Sequence, residues 1–353
     1  MQSLTEEKSL TYPPGGWITM GIETSCDETA VSLMEDGRKV LSSIIASQIP
    51  EHRKFGGVVP EVASRQHLEC IHQVVEEALQ QAGKDLEDVN QIAVTYGPGL
   101  VGALLVGVAY GKAMAYAMDV PLNGVHHIEG HLQANFIQYP ELEPPLLALI
   151  VSGGHTHLVK MADYGKYEIL GKTRDDAAGE AFDKIARALG LGYPGGPLID
   201  EQARMGNPEA VSFPRAFMEV DHYDFSFSGL KSAVLNYLNS SRMKGENISV
   251  PDVAASFQQA VVEVLVEKTV SCARDHQLSQ VVLSGGVAAN SLLRKRLEEA
   301  CRKEEISFFV PEMYLCTDNA AMIACAGYYD YCLGYRSGWN LNAAASVPIG
   351  QRP

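Results

Sequence analysis

The sequence predicts two similar α/β domains that face each other across a cleft, and three observations lead to this fold class. The chain has 353 residues, enough for two domains or one large α/β unit. Hydrophobic residues make up 46% and charged residues 20%, which is ordinary for a globular protein. A strand–turn–strand pattern near residue 18 returns near residue 146, so both halves open on the same arrangement.

The first half continues its opening hairpin, Ile18–Met34, with alternating helices and strands. In that hairpin the apolar runs ITMGIE and AVSLM flank the polar turn TSCDET, as in paired strands. Helical spacing of apolar residues predicts a helix over Val59–Gly83, and a short strand follows at Ile92–Thr95. A Gly-Pro-Gly turn then leads into the apolar helix Leu100–Met118. Because this stretch contains Lys112 and several glycines, it predicts a buried helix rather than a membrane span.

The second half repeats the plan from Leu146–Lys160, where LLALIV and THLVK flank the turn SGGH. Any α/β protein contains several hairpins, so this likeness supports a duplication without proving one. The remaining predicted elements are the helix Asp175–Leu189, the loop Gly192–Pro197, the helix Asp252–His276, the strand Val281–Leu283, a helix from about Ala288 to Lys303, and the helix Asn319–Tyr331.

Charge and cysteine content restrict the function classes. The net charge of −15 works against unaided binding of nucleic acid, although a local basic patch or a basic partner is compatible with it. The seven cysteines form no C-x-x-C pair and their number is odd, which argues against a disulfide framework and a cysteine-based zinc site. We therefore expect a reducing compartment, the cytoplasm. Residues 1–16 are polar and lack the apolar core of a signal peptide, so we expect a flexible tail.

A histidine pair in the segment VHHIEGH is a candidate metal site. His127 and His131 are four residues apart, and such residues lie on one face of a helix. Two imidazoles can bind one metal together with a third ligand from elsewhere, but from the spacing alone two structural histidines are the better interpretation. Asp318, in CTDNA, precedes a predicted helix, where it is either an N-cap or the third ligand. A set of two imidazoles and one carboxylate suits zinc or Fe(II).

Three glycine-rich turns point to a ligand that carries phosphate. They are SGGH at Ser152–His155, GYPGGP at Gly192–Pro197 and SGGVAAN at Ser284–Asn290. Glycines let a backbone approach a ligand closely, and free N–H groups at a helix start attract anions. None of the three is a Walker A loop or a G-x-G-x-x-G motif, which argues against P-loop and dinucleotide-binding proteins.

Several carboxylates are candidates for catalysis or binding. Asp27 and Glu28 lie at the tip of the first hairpin, where they are either solvated or, in a cleft, able to bind a cation, orient an amine or act as a base. Asp183, in GEAFDK, could accept hydrogen bonds from ribose hydroxyls or belong to a solvated helix face. Asp200, in PLID, leaves the same two interpretations open.

Taken together, these motifs resemble one family. The segments stand in the order of the TsaD family, the bacterial tRNA N6-adenosine threonylcarbamoyltransferases, and the resemblance spans about Ile18 to Tyr329. They are GIETSCDET, GGVVPEVASRQH, GPGLVGALLVG, HHIEGH, LIVSGGHT, DDAAGEAFDK, GYPGGP, FSFSGLK, SGGVAAN and CTDNAAMIA. His157 is the one nearby position where some relatives carry Gln.

The resemblance implies an actin-like, sugar-kinase-like (ASKHA) fold, whose two similar domains hold the active site in the cleft between them. We expect the first domain to comprise residues 17–145 with a C-terminal helix of about 319–345, and the second domain to comprise residues 146–318. The implied reaction transfers the threonylcarbamoyl group of threonylcarbamoyl-AMP to N6 of adenosine 37 in tRNAs that read codons beginning with A, and it releases AMP.

The resemblance also implies roles for individual residues. One divalent metal, Fe(II) or zinc, would be held by His127, His131 and Asp318. Asp27 and Glu28 match acids near the reacting group, and one of them is our hypothesis for the base that takes the proton of N6. The adenylate would be bound by Ile150, Val151, Ser152, Gly153, Gly154, Asp183, Gly196, Asp200 and Asn290.

The resemblance implies partners as well. A TsaB-like paralogue and a TsaE-like ATPase are expected to act with this chain. Because the chain is acidic, we expect tRNA to bind a composite surface to which Arg53, Lys54 and Arg65 contribute.

Three other functions compete with this interpretation. A metalloprotease of the H-E-x-x-H type needs its Glu directly after the first His, whereas here Ile128 stands there and Glu129 follows. A small-molecule kinase or ATPase of the same fold needs no site built from two histidines and one aspartate. A non-enzymatic scaffold would leave the glycine turns and the acids without a ligand.

Overall fold

Two five-stranded mixed sheets form the frame of the protein. The computed structural model describes residues 10–216 and 222–353. Of the expected flexible tail, residues 1–9 lie outside the described residues. The adjoining segment is attached to the fold, since the backbone N–H groups of Thr11 and Gly16 donate to the carbonyl of Cys332 and the carboxylate of Asp36.

The first sheet has the strand order β3-β2-β1-β4-β5. The central strand β1 pairs antiparallel with β2 and parallel with β4. The predicted hairpin forms, and a third strand that the sequence pattern did not reveal, β3, extends it. The strands are β1 (Ile18–Glu23), β2 (Glu28–Glu35), β3 (Lys39–Ser47), β4 (Gln91–Gly97) and β5 (Leu122–His126).

The second sheet, in the order β10-β9-β6-β7-β8, repeats this topology. Its strand β6 pairs antiparallel with β7 and parallel with β9, as β1 does with β2 and β4. The duplication expected from the two hairpins is therefore present in the fold. The strands are β6 (Leu146–Val151), β7 (Thr156–Asp163), β8 (Lys166–Lys172), β9 (Gln280–Ser284) and β10 (Ser307–Phe309).

Helices cover both sheets. In chain order they are α1 (Ile49–Arg53), α2 (Pro60–Ala82), α3 (Val101–Met118), α4 (His127–Gln138), α5 (Ala178–Ala188), α6 (Gly195–Ala203), α7 (Ser228–Lys244), α8 (Val250–Asp275), α9 (Ser291–Lys303), α10 (Met313–Cys316) and α11 (Ala320–Cys332). The long helices α2, α3 and α8 lie close to their predicted positions, whereas the long helix α7 was not predicted from the sequence.

Four predicted boundaries are wrong. Helix α5 begins three residues later than expected, because Asp175 instead accepts hydrogen bonds from the backbone that starts α7. The expected loop Gly192–Pro197 contains the start of α6. A short 3₁₀ turn, Gly286–Ala289, precedes α9. The last helix ends at Cys332, so the C-terminal segment up to residue 345 is irregular.

Helix α3 is a surface helix rather than the fully buried helix that we expected. One face packs against β4 and α2, with Leu104 and Val108 buried, whereas Leu105 and Tyr116 are exposed. Among the described residues it is the one helix long and apolar enough for a membrane span, a test that core helices also meet.

Helices α4 and α11 lie between the two sheets and join them. One hydrophobic cluster contains Leu132 of α4 and Met322 of α11 together with residues of both sheets, such as Ala93 and Ala148. Helix α11 packs on β1, β2 and β4 as well as on α4. We propose that α11 belongs to the first domain (residues 17–145) and that residues 146–318 form the second. Side chains at the ends of α4 and α11 are thus held where the domains meet.

Close packing of α11 on β1 requires a glycine. A Cβ atom added at Gly21 would lie 2.2 Å from the carbonyl oxygen of Ala320 and 2.8 Å from the backbone nitrogen of Ala324. Both clashing atoms belong to the backbone of α11 and cannot shift as a flexible side chain could. The whole helix would therefore have to move away from the sheet.

We therefore expect Gly21→Ala to lower the free energy of unfolding by about 1–3 kcal/mol or more, as overpacking does. Gly229→Ala is the matched control, because a Cβ at Gly229, in the first turn of α7, meets nothing within 4 Å. Urea unfolding of both variants is the measurement. A Gly21→Ala variant as stable as the Gly229→Ala variant would contradict the close approach.

Candidate metal centre

The side chains of His127, His131 and Asp318 meet where α4 and α11 begin. The Nε2 atom of His131 lies 3.1 Å from Oδ1 of Asp318, and Nε2 of His127 lies 3.6 Å from it. Their ligand atoms all lie within 4.8 Å of one another. Ligands of a tetrahedral ion with bonds of about 2.0–2.2 Å are roughly 3.3–3.6 Å apart. The two nitrogen–oxygen distances are close to this spacing, so the three groups fit a single metal ion.

Asp318 is free to act as a ligand because its neighbour caps the helix. The side chain of Asn319 accepts a hydrogen bond from the backbone N–H of Met322 (3.0 Å), so Asn319 and not Asp318 is the N-cap of α11. Burial alone would raise the pKa of Asp318, but the neighbouring imidazoles of His127 and His131 hold that pKa well below its usual range. The carboxylate is therefore ionised, as a metal ligand must be.

A fourth buried group, Glu23 at the end of β1, was not singled out from the sequence. Its Oε2 atom lies 3.0 Å from Nδ1 of His127 and accepts a hydrogen bond from the hydroxyl of Thr95 (2.7 Å). A carboxylate that accepts from Nδ1–H leaves Nε2 of the ring for the metal. The sequence feature that could have indicated Glu23 is its place in GIETS, where a carboxylate ends an apolar strand that is fully buried in the structure.

Glu23 and Asp318 together determine the charge of His127. Burial alone would lower the pKa of this imidazole, but the two carboxylates raise it to about 9. The same imidazole keeps the pKa of Glu23 below its ordinary value in spite of complete burial. The site is thus arranged to hold positive charge next to buried carboxylates.

The acid pair at the tip of the first hairpin lies beside this centre. Burial and the negative charges of Asp318 and Asp27 raise the pKa of Glu28 to about 10. Glu28 also accepts a hydrogen bond from the hydroxyl of Ser47 (3.2 Å). A carboxyl group with such a pKa holds its proton at neutral pH. Its neighbour Asp27 is 7% exposed.

The segment around the motif GGVVPEVASRQH supports the acid turn. The ring nitrogen Nε2 of His67 donates to the carbonyl of Cys26 (3.0 Å), and the hydroxyl of Thr29 lies 2.6 Å from Nδ1. The backbone N–H of Gln48 donates to the carbonyl of Asp27 (3.0 Å). Burial lowers the pKa of His67, so the ring is neutral and its hydrogen bonds fix the backbone of the turn.

Two of the glycine turns meet at the carboxyl edge of the second sheet. Ser152–Gly154 follows β6 and Ser284–Gly286 follows β9, and these strands are parallel neighbours. A Cβ atom added at Gly153, Gly154 or Gly286 would meet nothing within 4 Å, so the backbone faces open space. Such an edge is where ligands bind in open α/β sheets.

The third glycine turn adjoins the same region from α6. A Cβ at Gly196, in the first turn of α6, would also meet nothing within 4 Å. Burial, and after it the charges of Asp27 and Asp183, raise the pKa of Tyr193. The carbonyl of Tyr193 accepts a hydrogen bond from Arg53 of α1 (3.2 Å), so this turn contacts the first half of the chain. His155, the last residue of the first glycine turn, contributes to the low pKa of Asp318. The hydroxyl of Ser284, where the turn after β9 begins, accepts a hydrogen bond from Asn135 of α4 (2.8 Å), so this turn lies beside the helix that carries the histidines.

The other expected adenylate ligands also serve the fold. The side chains of Ile150 and Val151 are fully buried in β6, so these residues could bind a ligand only through their backbone. Asp183 accepts a hydrogen bond from the N–H of Gly195 (2.7 Å), and burial raises its pKa. Asp200 accepts from Arg204 and from Ser291, while Asn290 is the N-cap of α9 and donates to Gln258. Binding of a nucleotide by these three side chains stays a prediction.

Comparison with known proteins identifies close relatives. The family model "TsaD: tRNA N6-adenosine threonylcarbamoyltransferase" matches residues 39–325. A protein of that name from Clostridioides difficile (strain 630) is 61% identical over 334 residues, which cover 95% of this chain and 99% of the relative. A Clostridium botulinum protein (strain 657 / Type Ba4) of the same name is 58% identical over 333 residues, which cover 94% and 98%.

Solved structures of lower identity share the fold. HypF of T. kodakarensis has a TM-score of 0.63 at 14% identity, and the match covers 93% of this chain and 50% of that chain. Component A of the Acidaminococcus fermentans (R)-2-hydroxyglutaryl-CoA dehydratase has a TM-score of 0.52 at 16% identity, with 88% and 98% covered. These likenesses and the duplicated sheets confirm the predicted two-domain α/β fold of the actin-like type.

We expect Glu23→Gln to weaken metal binding about 10–100-fold, the usual effect of losing a hydrogen-bond partner of a metal-binding histidine. The metal-free protein is titrated with Zn²⁺ in competition with a chelator. Glu35→Gln, which neutralises a more exposed acid at the other end of the same hairpin, should leave the affinity unchanged. His131→Ala should abolish binding at this site.

The titration is repeated between about pH 7 and pH 9, because a proton on His127 competes with the metal below its pKa of about 9. Wild-type affinity should therefore rise with pH. Equal affinities of the wild type and Glu23→Gln throughout this range would show that Glu23 does not orient His127.

Proposed function

The chain belongs to the TsaD family of tRNA N6-adenosine threonylcarbamoyltransferases, and from this premise we propose how its cleft carries out the transfer. The chain is an acyltransferase that forms the threonylcarbamoyl modification on adenosine of tRNA. The observation that supports this mechanism is that His127, His131 and Asp318 meet at the start of α4 and α11, while Asn135 of α4 donates to the glycine turn at Ser284.

The donor in our proposal is threonylcarbamoyl-AMP, and the acceptor is N6 of adenosine 37 in tRNAs that read codons beginning with A. The open backbone at Gly153, Gly196 and Gly286 supports binding of the adenylate, since uncovered N–H groups favour phosphate. Ile150–Gly154, Asp183, Asp200 and Asn290 would complete this binding site. Because the donor is already activated, catalysis consists mainly of positioning two substrates and stabilising charge.

The acid pair would handle the proton of the amino group. N6 attacks the carbamoyl carbon, the bond from that carbon to the phosphate oxygen breaks, and AMP leaves with the bonding electrons. The proton lost from N6 passes to the carboxylate of Asp27. Glu28, whose pKa is raised, would remain protonated and donate a hydrogen bond.

His127, His131 and Asp318 would hold one divalent metal, Fe(II) or zinc, consistent with their two nitrogens and one oxygen. When bound, this metal would supply Lewis-acid polarisation of a carbamoyl or phosphate oxygen. Glu23 would keep Nε2 of His127 available as a ligand.

The geometry does not favour a metalloprotease. Glu129, the residue that a protease would need as its base, accepts hydrogen bonds from Arg352 (2.9 Å) and from the N–H of Gly350 (2.8 Å) on the other side of α4. It is 1% exposed and cannot reach a substrate at the histidines. Phosphate transfer by a kinase of the same fold does not require the histidine–aspartate cluster.

We propose a TsaB-like paralogue and a TsaE-like ATPase as partners, in the cytoplasm. Helices α2 and α3 pack together and leave Leu68, Val101 and Leu105 exposed. This apolar surface supports docking of the paralogue.

For tRNA we propose a composite surface. Arg53 and Lys54 are exposed near the cleft, where Arg53 donates to the carbonyl of Tyr193 (3.2 Å) and Lys54 pairs with Glu51 (2.7 Å). Arg65 is exposed on α2. Binding of the phosphates of tRNA requires a basic surface. On a chain of net charge −15, these three basic side chains supply only part of that surface.

Reconstitution tests the function directly. Threonine, bicarbonate, ATP, the adenylate-forming enzyme, the partners and tRNA are combined with and without this chain. The modified nucleoside should form only in its presence. Modification at the same rate without the chain would refute the function.

Asp27→Asn should abolish transfer in this assay and leave binding of the adenylate near normal, because the amide keeps the size of the side chain but cannot accept the proton. Glu87→Gln, which neutralises an exposed acid in the connection between α2 and β4, is the control and should transfer normally. Transfer by Asp27→Asn at the wild-type rate would exclude Asp27 as the base.

The isolated chain should bind tRNA weakly, and the assembled complex should bind it tightly and with strong salt dependence. Replacing Arg53, Lys54 and Arg65 with Ala should lower the affinity of the complex and flatten its salt dependence. Fluorescence anisotropy with labelled tRNA at several salt concentrations measures both. Tight, salt-sensitive binding by the chain alone would contradict the composite surface.

A further inference from the structure

A buried ion cluster lies behind the helix that carries the histidines, and the proposed mechanism gives it no role. Arg352 forms ion pairs with Glu129 of α4 and Asp330 of α11, each at 2.8 Å. The three side chains are nearly buried, at 15%, 2% and 4% exposure. Charged groups are seldom buried in this way unless the arrangement serves the fold or the site.

Arg352 lies on a segment, residues 341–352, that we call the C-terminal strap. The strap is hydrogen-bonded along the first domain: the N–H of Ala344 donates to Tyr96 (2.8 Å), and the N–H of Gly99 donates to Ala345 (3.2 Å). Nε2 of His126 lies 3.1 Å from the carbonyl of Val347. The family model matches residues 39–325 and does not include the strap.

The strap contacts α4 on the face opposite the candidate ligands. Glu129 is two residues from both His127 and His131, which corresponds to about 200° of helical rotation from each. It accepts hydrogen bonds from the N–H of Gly350 (2.8 Å) and from Arg352 (2.9 Å). A bond at this point opposes rotation of α4 about its axis, and such rotation would turn both imidazoles away from Asp318.

Arg352 also joins the two helices that supply the ligands. Its Nη1 contacts α4 through Glu129, and its Nη2 contacts α11 through Asp330. The third candidate ligand, Asp318, directly precedes the N-terminal end of α11. One guanidinium group therefore connects both elements on the side away from the metal centre.

We propose that Arg352 is a positioning residue, which through Glu129 and Asp330 sets the orientation of α4 and α11 so that His127, His131 and Asp318 meet at one metal. This inference rests on the proposed metal site. The strap would thus support the metal site indirectly, through its contacts with the opposite face of α4.

Metal titration tests this role without reference to transfer. Removing Arg352 alone would leave two buried carboxylates without their cation, so the main variant is the triple substitution Arg352→Met, Glu129→Gln and Asp330→Asn, which leaves no stranded charge. The metal-free protein is titrated with Co²⁺, followed by its visible absorption, and with Zn²⁺ against a chelator.

We expect the triple variant to bind both metals about 10–100-fold more weakly, in the range found for groups that orient metal ligands, and with an altered Co²⁺ spectrum. Arg352→Lys keeps the charge but cannot bridge both acids, so its affinity should lie between those of the wild type and the triple variant. This second variant also carries the test if the triple variant does not fold.

Leu297→Ala is the matched control, because it opens a cavity in the core beside the second sheet, away from α4. It should melt at a lower temperature than the wild type and bind metal with unchanged affinity. A loss of affinity in this control equal to that of the triple variant would overturn the proposal.

Two further results would also overturn it. One is wild-type affinity and spectrum in both a folded triple variant and Arg352→Lys. The other is a wild-type protein that binds neither metal at His127 and His131, and only this result would at the same time refute the metal site of the proposed function.

Discussion

The orientation of helix α4 is the constraint on which the site depends. The helix lies between the two sheets, packed against α11 in a core shared by both. On one face Glu23 binds His127, and on the opposite face Arg352 binds Glu129. Hydrogen bonds to buried charged groups are strong and directional, so these two contacts add to the apolar packing in fixing the direction in which the imidazoles point.

The electrostatics of the cleft follow from the same placement. Burial together with repulsion from Asp318 and Asp27 raises the pKa of Glu28 to about 10. Burial works against protonation of His127, but attraction to Asp318 and Glu23 raises the pKa of this imidazole to about 9. Burying several acids together is costly unless positive charge compensates them. The cleft is therefore suited to a cation, which would relieve the repulsion that the fold imposes.

The duplicated sheets use one topology for two kinds of chemistry. The hairpin of the first sheet ends in the acidic turn TSCDET, whose backbone is held by His67 and Gln48. The hairpin of the second sheet ends in SGGH, where glycines leave the backbone open. In the proposed mechanism the acidic turn would take part in proton transfer and the glycine turn in anion binding.

The sequence by itself determined much of this protein. Apolar periodicity located both hairpins and the long helices α2, α3 and α8, because it is a local signal between neighbours in the chain, and the spacing of His127 and His131 placed them on one helix face. The strands β3 and β8, which carry partly exposed residues and a weaker apolar pattern, were not predicted. The short strands β5 and β10 and the helix α7 were not predicted either.

Only the tertiary structure decided which polar groups act together. Glu23 and Arg352 contact α4 across separations of more than a hundred residues, and no local pattern encodes such contacts. That Asn319 rather than Asp318 caps α11, and that Asp183 supports the start of α6, likewise depended on packing. A buried polar side chain takes whichever partner the fold brings within reach, so its role is fixed only when the distant segments have met.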